Sequence, residues 1–138
     1  MKVVVDTNVV AYYILGTAEF SDEVRSFWHS SGELLAPSLW EAEIANVVWM
    51  AVRSNTLSPD QAPTRLKFAG RLGIHSVSNR RLWQGAVLRA IRSTVAVYDT
   101  LFVELAAREG TCLVTFDAQL IRNWPKICVR PGDLAGRL

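Results

Sequence analysis

The sequence predicts an α/β protein, a three-layer α/β/α sandwich around a short, mostly parallel, five-stranded sheet. Three observations predict it. Short β-branched runs alternate with longer stretches of helical period, as βαβ crossovers require. The 138 residues, half of them apolar and a fifth charged, suffice to bury one core. No repeat, low-complexity stretch or linker divides the chain, so residues 1–138 are expected to form one domain.

Lys2–Val5 is the first strand, and Thr7–Leu15 follows as a helix. Ser21–Ser30 is a second helix, with Ser21 as its N-cap and Asp22 and Glu23 in its first turn. Glu33–Ala36 is the second strand. Pro37, a residue suited to a first helical turn, opens a long helix to about Arg53. Ser58-Pro59-Asp60 starts a helix that ends near Gly73, and Ile74–Val77 is the third strand. Asn79–Arg92 is amphipathic: Leu82, Trp83, Ala86, Val87, Ala90 and Ile91 form a stripe opposite Arg81, Gln84 and Arg92. Val97–Glu109 is a helix stopped by Gly110. Cys112–Thr115, a short helix over Asp117–Trp124, and Ile127–Arg130 complete the pattern.

The formal charge of +2 is too small to name a polyanionic partner. Twelve of the fifteen basic residues are Arg, which suits phosphate recognition but equally follows from nucleotide bias in a genome. Cys112 and Cys128 make no CxxC pair and are expected to be reduced core residues of a cytoplasmic protein. The longest apolar runs, VVAYYIL and VVWMAV, fall far short of the ~18–20 residues that span a bilayer, so a soluble protein is expected.

Four acids stand in apolar company. Asp6 follows the first strand directly, and Asp117 repeats the arrangement in LVTFD. Helix capping explains either one alone. In a parallel sheet, however, both belong to the crevice outside the strands' carboxyl ends. Glu43 shares a helix face with Leu39, Asn46, Val47 and Met50. Asp99 lies in the first turn of its helix, where the dipole favours it. Glu104 and Glu109 read as surface acids. Carboxylates crowded into one crevice raise each other's pKa, and a divalent cation relieves that repulsion. Hard oxygen donors without His or Cys nearby indicate Mg²⁺ or Mn²⁺ rather than zinc. His29 and His75 are isolated, so no Ser–His–Asp or Cys–His system is present.

The segments VVVDTNVV, PSLWEAEIANVVW, VYDTLFVELA and LVTFDAQL, in this order and spacing, resemble a PIN-domain ribonuclease, and more narrowly a VapC-type toxin of a type II toxin–antitoxin pair. The likeness runs from Lys2 to about Arg130, and Ser54–Ser78 matches poorly. It implies catalytic, metal-binding acids at Asp6, Glu43, Asp99 and Asp117, supported by Asn8 and Thr115. It also implies Mg²⁺-dependent endonucleolytic cleavage of RNA. Asp6 and Asp99 would be the main ligands. Glu43 and Asp117 would act through water, hold a second ion or orient the attacking water. A homodimer and a cognate antitoxin, whose tail packs along apolar helices and blocks the acidic site, are implied in the same way.

Arg80, Arg81, Arg89 and Arg92 are candidate RNA contacts, although a solvated helix face explains them equally. Tyr12, Tyr13, Trp28 and Trp49 read as core or interface residues before base platforms. Ile44–Val52 is apolar almost all round, so the core or a partner must cover it. Three alternatives remain. An Asp-nucleophile phosphatase needs an acid where Asn8 stands. A phosphoacceptor receiver-type signalling domain needs a Lys at a late strand end, and Lys2, Lys67 and Lys126 are badly placed for it. A catalytically inactive PIN-like binding module would not need all four acids.

Overall fold

The computed structural model describes residues 1–137. Its centre is a sheet of β1 (Lys2–Val5), β2 (Glu33–Pro37), β3 (Ile74–Val77), β4 (Leu113–Val114) and β5 (Cys128–Val129), in spatial order β3-β2-β1-β4-β5. Every pairing is parallel: Val4 lies opposite Leu35 on one side and Leu113 on the other. A parallel sheet needs a crossover between neighbouring strands, and among the described residues seven helices supply them. These are α1 (Thr7–Leu15), α2 (Ser21–Ser30), α3 (Leu39–Arg53), α4 (Gln61–Gly70), α5 (Trp83–Ser93), α6 (Val97–Glu109) and α7 (Ala118–Asn123). Right-handed crossovers place α1–α4 on one face and α5–α7 on the other, which gives the expected three layers.

The valines of β1 show why the first run is apolar without alternation. Val3, Val4 and Val5 are each fully buried, because helices cover both faces of the central strand. From β1 the chain winds out to β2 and β3, then returns across the sheet to β4 and β5. The reversal leaves a crevice at the carboxyl ends of β1 and β4, the position where open α/β sheets bind ligands.

Several boundaries differ from the sequence reading. Pro37 ends β2 opposite Val77 rather than opening a helix, and α3 starts at Leu39. Ser21 is not a cap: a 3₁₀ turn over Ala18–Phe20 runs directly into α2 and makes Phe20 the capping residue. Asn79–Arg81 is likewise a 3₁₀ turn, and α5 begins at Trp83. Gly110 stops α6 as expected, with φ at 62° in the left-handed region.

One acid departs from its expected place, and another gains a partner far along the chain. Glu104 is no surface acid. It lies buried between α5 and α6, where Arg89 and Arg108 donate to its two carboxylate oxygens at 2.9 and 2.6 Å. Burial works against its charge, but the two guanidiniums prevail and hold its carboxyl below the usual range. Glu23 anchors the C-terminal segment through a two-pronged pair with Arg130 and the backbone N–H of Gly132.

Candidate active site

Asp6 ends β1 in extended backbone and caps α1, accepting from the Thr7 N–H at 2.8 Å. Its other oxygen accepts from the Thr115 hydroxyl at 2.8 Å and more weakly from the Asn8 amide at 3.4 Å. Asn8 also donates to Thr115 and accepts from the Phe116 N–H, so it ties the start of α1 to the end of β4. Asp6 therefore caps α1 while its second oxygen is held by groups at the end of β4 and the start of α1. Asp117 caps α7 in the same way, its carboxylate accepting from the N–H groups of Gln119 and Leu120.

Glu43 projects from α3, and the hydroxyl of Thr7 donates to its Oε1 at 2.7 Å. Asp99 lies in the first turn of α6. Asp6, Glu43, Asp99 and Asp117 all line one cleft of about 470 Å³ at the switch point, together with Thr7, Asn8, Asn46 and an apolar wall. Among the described residues, that lining holds no Lys, Arg or His.

The acids feel one another. Asp6 is 7% exposed, and burial pushes its pKa up to about 7. Asp99 and Glu43 add to that push, while the Thr115 and Thr7 bonds oppose it. Burial and then Asp99 raise Glu43; burial and then Asp117 raise Asp99. Among the described residues, though, no three acidic, His or Cys side chains close into a ready-made metal-binding group. Asp6, Glu43 and Asp117 are each held by hydrogen bonds from the chain, Asp6 and Glu43 both by Thr7. The donor chemistry still fits a hard divalent cation, since it is all oxygen and carries surplus negative charge.

Thr7 was missed in the sequence, because a hydroxyl beside a carboxylate is too common a pair to stand out. Asn46 was visible as a neighbour of Glu43 on its helix face, and it does line the cleft. Tyr12, read as a core or interface residue, forms part of the cleft wall.

None of the four candidate arginines lines the cleft. The guanidinium of Arg89 is engaged by Glu104 at the α5–α6 seam. Arg80 lies over the Trp83 ring, 5.4 Å from its centroid, and Arg81 is exposed. Arg92 lines a separate polar groove with Arg89, Ser93 and Asn123.

The family model described as "PIN domain" matches residues 3–123. A protein named Ribonuclease VapC3 from Pyrobaculum aerophilum is 30% identical over 131 residues, covering 92% of this chain and 98% of the relative. Another Ribonuclease VapC3, from Mycobacterium tuberculosis, is 27% identical over 124 residues, covering 90% and 88%.

Proposed function

Since the chain belongs to the PIN-domain family and to its VapC-type ribonucleases, we propose that it is a Mg²⁺-dependent endoribonuclease, the toxin of a toxin–antitoxin pair, acting in the cytoplasm. The observation that carries this reading is a cleft lined by four carboxylates and, among the described residues, by no basic side chain. Such a cleft repels a phosphodiester unless a cation enters with it. Mg²⁺ or Mn²⁺ would be held chiefly by Asp6 and Asp99, with Glu43 and Asp117 acting directly or through water. Once bound, the cation would supply charge against the developing negative phosphoryl oxygens and lower the pKa of a water.

The chain's own groups then have separate tasks. Thr115, Asn8 and the Thr7 N–H fix the orientation of Asp6. Thr7 occupies Oε1 of Glu43, which leaves Oε2 to take the proton of the attacking water. The capping bonds of Asp117 set its carboxylate before substrate arrives.

The homodimer has its support on α5. Trp83, Val87, Leu88 and Ile91 stand exposed, Ile91 at 71%, and the first three border an apolar hollow of about 740 Å³. On α3, Ile44, Val48 and Ala51 face the core, while Trp49 and Met50 remain open for a partner such as the antitoxin.

The decisive experiment is cleavage of defined RNAs with chelator, Mg²⁺ or Mn²⁺, with the cut sites mapped. Cleavage only with metal, abolished in Asp6→Asn while that variant remains folded, is the expected result. Cleavage in chelator, or retained in Asp6→Asn, overturns the mechanism.

A further inference from the structure

We propose that the end of the cleft remote from the acids is a nucleobase subsite, which receives the base adjoining the scissile phosphate and sets sequence preference there. This rests on the ribonuclease reading and adds to it a place in the cleft for one base held out of its stack.

The cleft is a groove between two helices with unlike ends. Near the start of α1 it is acidic. Farther along, α1 presents Ala11, Tyr12 and Leu15, spaced to share one helix face, and α3 presents Asn46 and Val47. Gly16 ends α1 with φ at 66°, and Thr17 then closes the groove. Thr7 to Leu15 spans roughly 12 Å of helix, which gives the groove length beyond the acids for a sugar and a base. A cation and a phosphate have no use for an apolar wall, whereas a base does.

The wall is also prepared in advance. The Tyr12 ring is stacked on Phe20 with centroids 4.3 Å apart, and meets Phe116 edge-on at 5.2 Å. An aromatic already held in place loses little freedom when a base arrives. The Thr17 hydroxyl makes no capping bond to the helix turn that follows it, and Thr17 and the exposed Asn46 both line this cleft. They supply the donors and acceptors that distinguish base edges.

The test compares ribonucleoside 5′-monophosphates with ribose 5-phosphate, in Ca²⁺ to hold the phosphate, by affinity and by backbone-amide NMR shifts. At least one nucleotide should bind about tenfold tighter than ribose 5-phosphate, roughly 1.4 kcal/mol. It should also move the amides of Thr17 and Asn46. Leu15→Trp, which fills the groove, should remove that margin, and its amide spectrum elsewhere reports on the fold. Thr17→Val combined with Asn46→Leu, milder changes, should re-rank the four nucleotides. Equal binding of nucleotides and ribose 5-phosphate overturns the subsite. So does a groove indifferent to nucleotides and covered only by a protein partner. Equal cleavage of intact RNA and RNA abasic beside the cut overturns it while leaving the ribonuclease standing. A base-dependent margin in a protein that cleaves no RNA supports the subsite and removes the ribonuclease.

Discussion

Without metal, Asp6→Asn should make the protein more stable, although the substitution removes a group central to its chemistry. Burial and two neighbouring acids raise Asp6 from its ordinary 3.8 to about 7. Between those values the folded chain holds a proton that the unfolded chain has released. Stability therefore falls as pH rises through that window, and the full penalty is present above 7. At about 1.4 kcal/mol per pH unit the penalty reaches roughly 4 kcal/mol. The replacement amide recovers only part of it, because its NH₂ meets Thr115 and the Asn8 amide where a carboxylate oxygen accepted. A net gain of about 2 kcal/mol remains, or roughly 6–8 °C in Tm. The assay is denaturation of both proteins in chelator from pH 4 to 8. The difference between them should be small at pH 4, grow toward pH 7 and level off above it. A variant no more stable than the parent at pH 8, or a difference flat across the range, would refute the account of the acidic cleft.

Mn²⁺ should raise the Tm of the parent protein in a concentration-dependent way and leave that of Asp6→Asn nearly unmoved, as a calorimetric titration would show. Thr7→Val removes the bond that orients Glu43, so kcat should fall about tenfold with little change in KM, measured on a short RNA. Glu104→Ala strands two guanidiniums and should cost about 2–3 kcal/mol in urea denaturation at pH 7. Glu104 is held below its ordinary 4.5, so its stabilisation is present above that value and the difference should shrink as pH falls below it. Ile91→Lys places a charge in the exposed α5 stripe; sedimentation should report a dimer for the parent and a monomer for the variant.

The layered fold was legible because its signals are local. The uninterrupted valines of β1, the helical period of α1 and α6 and the glycine after Glu109 each state their element within a few residues. Boundaries were lost where tertiary pairing prevailed: Pro37 joins β2 because Val77 lies beside it, whatever its preference for a helix start. Glu104 was misread for a similar reason. Its partner Arg89 is fifteen residues away on another helix, and no periodicity in either segment records the pairing.

The sequence by itself determined the alternation of strands and helices, the four acids and the family to which they belong, because motif order and apolar period survive without coordinates. Only the tertiary structure decided that Thr7 braces Glu43, that half of the α5 stripe faces outward and that Tyr12 walls the cleft. Those facts depend on which surfaces meet when β1 and β4 lie side by side. That meeting is a property of chain reversal across the whole sheet, and no short stretch of residues contains it.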